Sequence, residues 1–155
     1  MGEKTNVMRV LEQKKVNYKS YYYTGDGTLS GVEVAALLGQ NPKRVFKTLV
    51  TVGKSKKNYV FVIPVDQELN LKKAAAAVGE KSVEMVKAKE LLPLTGYVHG
   101  GCSPIGMKKV FPTVVHCTVR EFETIFFSAG KIGCQVEVGL EGLRRVMDCL
   151  VEDIV

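Results

Sequence analysis

The sequence predicts one domain in which helices and strands are interspersed, and three observations carry that expectation. Runs rich in β-branched and aromatic residues at 45–52, 59–63, 124–128 and 134–138 have the composition of strands. Around them, cap residues followed by apolar positions at helical spacing recur from Asn6, Ser30 and Asn70, and helical spacing returns from Leu140. The 155 residues suit a single domain, 1–155, that buries its own core, and 46% hydrophobic with 25% charged content argues against long disorder.

In chain order, Asn6 caps a helix to about Lys15 that buries Val7, Leu11 and Val10 and leaves Lys4, Glu12 and Lys14 in water. Tyr18–Tyr23 reads as an aromatic strand ending at the turn Thr24-Gly25-Asp26-Gly27. Ser30 with Glu33 makes a capping box, and Val34, Leu37 and Leu38 carry a short apolar face to Gly39. After the Asn41-Pro42 break, Val45–Val52 is a strand in which alternation puts Lys47 on the face of Val45 and Leu49. A basic hairpin loop, 53–58, leads to Tyr59–Ile63, whose unbroken apolar run suits a strand covered on both faces. Asn70 caps a helix from Leu71 to Val78 closed by Gly79. A short strand follows at 82–86, then a helical turn at 89–92 stopped by Pro93 and a short strand at Tyr97–His99. Strands at 110–116, 124–128 and 134–138 precede a closing amphipathic helix from Leu140 to Val151.

A formal charge of +6 fits an anionic partner, or simply a basic soluble protein. Cys102, Cys117, Cys134 and Cys149 form no Cys-x-x-Cys pair, so neither a zinc site nor a redox dithiol is signalled. The amino terminus lacks the apolar core of a secretory signal, and no stretch is long and apolar enough to cross a bilayer; a soluble cytoplasmic protein with no membrane partner is expected.

Chemistry concentrates at Tyr97-Val98-His99-Gly100-Gly101-Cys102-Ser103-Pro104-Ile105-Gly106. Two glycines free the backbone and Pro104 fixes it again, so bare N–H groups can approach a ligand oxygen; the same residues also suit a plain tight turn. Ala129-Gly130-Lys131-Ile132-Gly133, after Ser128, repeats the combination of strand end, glycines, hydroxyl and cation. If the Val45 face of its strand is buried, Lys47 requires an anion; if that face is solvated, it is an ordinary edge lysine. With two histidines, His99 and His116, and no Gly-x-Ser-x-Gly, a serine triad lacks support. Neither phosphate-binding glycine fingerprint is present. His99 could act as a base or simply pack, and Cys102 is a loop thiol without an activating partner. What remains is a pocket of backbone N–H groups, hydroxyls and one lysine, suited to an anion or a polarised ester.

Several segments, in order and with similar spacing, resemble the YbaK-type Cys-tRNA(Pro) deacylases of the prolyl-tRNA synthetase editing-domain superfamily. They are Phe46-Lys47-Thr48-Leu49, Asn70-Leu71-Lys72-Lys73-Ala74-Ala75, Val83-Glu84-Met85, the stretch Thr95–Gly106, and Phe122–Lys131. The resemblance implies an α+β fold, a single domain with a mixed, curved β-sheet and flanking helices. The implied activity is hydrolysis of the ester joining a mischarged amino acid to the 3′ end of tRNA(Pro), beside prolyl-tRNA synthetase, by a protein with no cofactor or metal and a monomer by default.

The same resemblance assigns Lys47 as the essential lysine that orients the ester, and Gly100 and Gly101 as backbone donors. Pro104 shapes the turn, and Tyr21, Thr48 and Ser128 bind substrate. A cysteinyl substrate brings its own thiol, which can attack the neighbouring ester. This chain departs from the pattern at Leu29-Ser30-Gly31-Val32-Glu33, and at Gln135, where some relatives carry an aspartate. A deacylase for Ala-tRNA(Pro) or a broader set, and a non-catalytic tRNA- or synthetase-binding module, are the alternatives.

Overall fold

Residues 4–155 are described in the computed structural model, and the way their strands divide explains where a cleft can open. The helices are α1 (Asn6–Gln13), α2 (Gly31–Leu37), α3 (Leu71–Val78), α4 (Ala88–Thr95) and α5 (Leu140–Val146). The strands are β1 (Lys19–Tyr22), β2 (Phe46–Gly53), β3 (Asn58–Pro64), β4 (Val83–Met85), β5 (Thr113–His116), β6 (Ile125–Ser128), β7 (Cys134–Val138) and β8 (Leu150–Glu152). The fold is α+β in a single domain. Its mixed sheet is hydrogen-bonded in two parts, a five-stranded order β4-β2-β3-β5-β8 and an antiparallel three-stranded order β1-β7-β6. A single parallel bridge, Val45 to Phe126, joins them.

The alternating residues of β3 explain how the layers assemble. Val60 and Val62 face the main core with Val7 and Leu11 of α1, Phe127 of β6 and Val136 of β7. Phe61 and Ile63 face the other way, onto Ala74 and Ala75 of α3 and the fully buried Ile154. Burying each such side chain contributes about 1.5–3 kcal/mol, so both faces of β3 anchor the domain. A third cluster, Ala35, Val45, Val65 and Phe126, seats α2 beside the sheet junction. The capping box of Ser30 and Glu33 starts α2, and Asn70 with left-handed Gly79 brackets α3, as their residue types predict.

Six local expectations are corrected. Thr5, rather than Asn6, caps α1, its hydroxyl accepting the Met8 N–H at 3.3 Å. Leu37 is exposed, Ala35 being buried in its place. α4 runs through Pro93 to Thr95, because the carbonyl that proline leaves unpartnered belongs to Lys89 in the exposed first turn. Tyr97–His99 pairs with no strand and instead enters a turn, while β5 begins only at Thr113, after the donor-less Pro112. The closing helix stops at Val146, and Leu150–Glu152 becomes β8, parallel to β5. The tail is drawn into the sheet by Ile154, whose N–H donates to His116 Nδ1 and whose carbonyl accepts from Asn70.

Candidate active site

The register of β2 creates an open edge. Val45 C=O accepts from Val65 and Gly53 N–H donates to Lys57, so odd-numbered residues of this strand face β3. Phe46, Thr48 and Val50 therefore face the opposite edge, and the Val50 carbonyl takes the Val86 N–H there at 3.1 Å. Between the bridge to β6 at Val45 and the β4 ladder, which starts at Thr51, no strand among the described residues pairs with that edge. A cleft of about 430 Å³ occupies this gap. β2 supplies Lys47 and Thr48, β6 and β7 supply Ser128 and Gln135, the glycine turn supplies His99 and Gly100, and Val34 of α2 and Leu91 of α4 wall it.

Lys47 is half-buried in this cleft, and no aspartate or glutamate lines it among the described residues. Nor does the ammonium form an ion pair with any described carboxylate. A half-buried cation without a counter-charge suits an anion.

The glycine turn is built around one bond. Gly101 N–H donates to Val98 C=O at 3.0 Å, and Gly100, third in that turn, has φ +87°, a conformation that glycine reaches without strain. Gly100 stays exposed toward the cleft, whereas Gly101 is buried. The expectation that both amides are offered to a ligand is thus corrected, because the Gly101 donor is already spent inside the turn. Gly101 is needed for another reason: a Cβ there would come within 3.0–3.1 Å of the Lys131–Ile132 backbone, so its bareness lets the two glycine loops touch. Tyr97 braces the turn from below, its hydroxyl donating to Ile105 C=O at 2.5 Å.

Of the residues singled out from sequence, Lys47, Thr48, Gly100 and Ser128 line the cleft together. Gly101, Pro104 and Tyr21 do not line it. Pro104 is buried beneath the turn. Tyr21 packs edge-on against Phe126, centroids 5.4 Å apart, and donates its hydroxyl to Glu137 at 2.5 Å. Tyr23, two residues on along the same face, reaches the cleft where Tyr21 was expected. Gln135 was noted in sequence only as a departure, yet it is buried in the cleft wall, directly across the ladder from Ser128. No sequence signal separated it from a solvated strand residue, because β7 alternates Cys134, Val136 and Val138 with Gln135 and Glu137.

Cys102 lines the cleft, but burial pushes its thiol up to about 12, leaving almost no thiolate at neutral pH. The ligand atoms of His116, Cys117 and Asp153 lie within 4.8 Å of one another, close enough to be considered for a metal. There His116 Nδ1 already accepts the Ile154 N–H, Asp153 pairs with Lys73 at 2.9 Å, and none of the three lines the cleft.

A second hollow, about 580 Å³, lies beside Arg44 and Glu137. The Arg44–Glu137 pair on its wall is already matched. Glu137 accepts from Tyr21 and Thr124, each at 2.5 Å, and from Arg44 at 3.2 Å. Arg44 also stacks over Phe126 at 4.7 Å. Burial acts to raise the Glu137 pKa, but the bonds from Thr124, Tyr21 and Arg44 outweigh it and hold the carboxyl below its usual range.

Residues 27–146 match the aminoacyl-tRNA editing domain family. The chain is 50% identical over 142 residues to EbsC of Enterococcus faecalis, named as a candidate Cys-tRNA(Pro)/Cys-tRNA(Cys) deacylase, covering 91% of this chain and 87% of that protein. It is 35% identical over 79 residues to the proline–tRNA ligase of Thermosipho melanesiensis, half of this chain and 14% of that enzyme. Two crystal structures share the fold. One is of a hypothetical protein (TM-score 0.87, 23% identity, 97% of this chain and 99% of that one). The other is of a candidate trans-editing enzyme for prolyl-tRNA synthetase (TM-score 0.82, 20% identity, 99% and 98%).

Proposed function

This chain belongs to the aminoacyl-tRNA editing domain family, and from that membership we infer that it is a deacylase that hydrolyses cysteine mischarged onto tRNA(Pro). It acts in the cytoplasm, as a monomer, in trans to prolyl-tRNA synthetase. No described helix is long and apolar enough to cross a membrane. One observation supports the reading above others: among the described residues, Lys47 stands half-buried and without a counter-ion in a cleft that no carboxylate lines and that also contains Gly100 and Ser128.

Lys47 holds the anionic 3′-terminal nucleotide, and the Gly100 amide polarises the ester carbonyl. Thr48 and Ser128 bound the space for the aminoacyl group, with Gly101 and Pro104 setting the turn behind it. No side chain of the cleft is an activated nucleophile, the Cys102 thiol being held protonated. The substrate's thiol fills that role. Its sulfur attacks the ester carbonyl carbon, the C–S bond forms as the bond to the ribose oxygen breaks, the thiol proton passes to that oxygen, and water then opens the released cyclic thioester to free cysteine. Holding the two groups in register is worth roughly 7–11 kcal/mol of barrier, so the protein need only position and polarise.

The test incubates the purified protein with tRNA(Pro) charged with cysteine, alanine or proline, and with cysteine on tRNA(Cys). Selective release of cysteine is expected. Release of alanine in preference would move the assignment to an alanyl-specific or broader deacylase, and binding without release would make the chain a non-catalytic tRNA-binding module.

A further inference from the structure

Gln135 is only 4% exposed, yet its carboxamide makes no side-chain hydrogen bond to any described residue, and its Oε1 is fully shielded from solvent. Leaving a buried amide unpartnered is unfavourable, and folded proteins rarely tolerate it without a ligand or water to complete it. Thr48 Oγ1 is the second such atom in the same cleft. Both belong to strand residues whose backbones are fixed by ladders, β2 with β3 and β7 with β6 and β1, so their places in the cleft wall are set by the sheets.

The place of Gln135 narrows what it binds. It sits across the ladder from Ser128, on the side of the three-stranded sheet that faces the cleft, and Lys47 lines the same space. The anionic part of the ligand is matched by Lys47. A neutral carboxamide oxygen is instead matched by an N–H donor, and the donor that every aminoacyl ester carries beside its carbonyl is the α-amino group. With no carboxylate in the cleft among the described residues, a neutral acceptor receives that amine without adding an ion pair next to Lys47.

Resting on the deacylase reading above, we propose that Gln135 is a positioning residue that accepts a hydrogen bond from the substrate's α-amino group, with Thr48 completing the polar wall, so that the cleft selects aminoacyl over simple acyl esters. The bond orients the ester for the attack described above and takes no part in proton transfer.

The experiment compares tRNA(Pro) esterified with cysteine and with 3-mercaptopropionate, which keeps the thiol and lacks the amine. Wild-type protein is expected to favour the cysteinyl ester by roughly 10–100-fold in kcat/KM. Gln135→Met, close in volume, should bring that ratio near unity by slowing the cysteinyl ester while leaving the mercaptopropionyl rate in place. Gln135→Asn, which shortens the side chain by one methylene, provides the same reading if the methionine variant misfolds. A folded variant that keeps the wild-type ratio, or a wild-type protein that treats both esters alike, overturns the proposal. Absence of turnover with either ester overturns the deacylase reading instead, and this assignment with it.

Discussion

The cleft and the Arg44–Glu137 knot lie on the same sheet and use the same kinds of residue, but they treat polar groups in opposite ways. In the knot, Tyr21, Thr124, Arg44 and Glu137 hydrogen-bond to one another, and two phenylalanines cover the guanidinium. In the cleft, Lys47, Thr48 and Gln135 have no such partners among the described residues. A polar group that is already matched holds the fold; one that is buried and unmatched is held ready for something from outside. The hollow beside the knot is larger, so size alone does not mark the binding site.

The largest effect that could break this contrast is at Lys47. Lys47→Ala is expected to lower kcat/KM for Cys-tRNA(Pro) by roughly 100-fold or more while leaving the thermal midpoint unchanged, since the ammonium stabilises no ion pair in the free protein. A marked loss of thermal stability would make the lysine part of the scaffold.

The reverse pattern is expected in the knot. Glu137→Gln should reduce stability by about 1–3 kcal/mol at neutral pH, read by urea denaturation, with deacylation nearly unchanged. Because the folded pKa of Glu137 is depressed, its contribution is fully present above the ordinary carboxylate value and is lost as pH falls through the lower folded one. The stability gap between wild type and variant should therefore narrow on acidification. A gap that widens in acid would contradict the network drawn here.

The smallest effect is expected at Cys102, which lies in the cleft but is no nucleophile. Cys102→Ser should leave kcat/KM within about threefold, because a thiol raised to about 12 contributes negligible thiolate. Loss of turnover would transfer the nucleophile from substrate to enzyme.

Much of the architecture was legible because it follows from local chemistry. The caps at Ser30 and Asn70, the two-faced apolar run of β3 and the strands at β2, β6 and β7 depend on side-chain periodicity that no distant contact has to supply. Failures came where a distant partner chose between two permitted structures. Val146, Met147 and Leu150 suit a helix as well as they suit a turn and a strand, and the contacts of Ile154 with His116 and Asn70 selected the strand. Lys47, Thr48, Gly100 and Ser128, singled out on residue type and resemblance, line one cleft together, whereas Tyr23 lines it in place of Tyr21. Both tyrosines point to one side of β1, and only Glu137, which lies 116 positions away in sequence, determines that the first is taken up by the knot.

The amino-acid order alone determined which residues could serve an ester: a lone lysine on a strand, glycines at a turn, and no nucleophile with a partner. Only the tertiary structure decided which donors and acceptors stay free, withdrawing the Gly101 amide into its turn and leaving Gln135 unmatched. The physical reason is that periodicity is a property of neighbours along the chain. Hydrogen-bond satisfaction is a property of neighbours in space, and it takes the closed fold to count them.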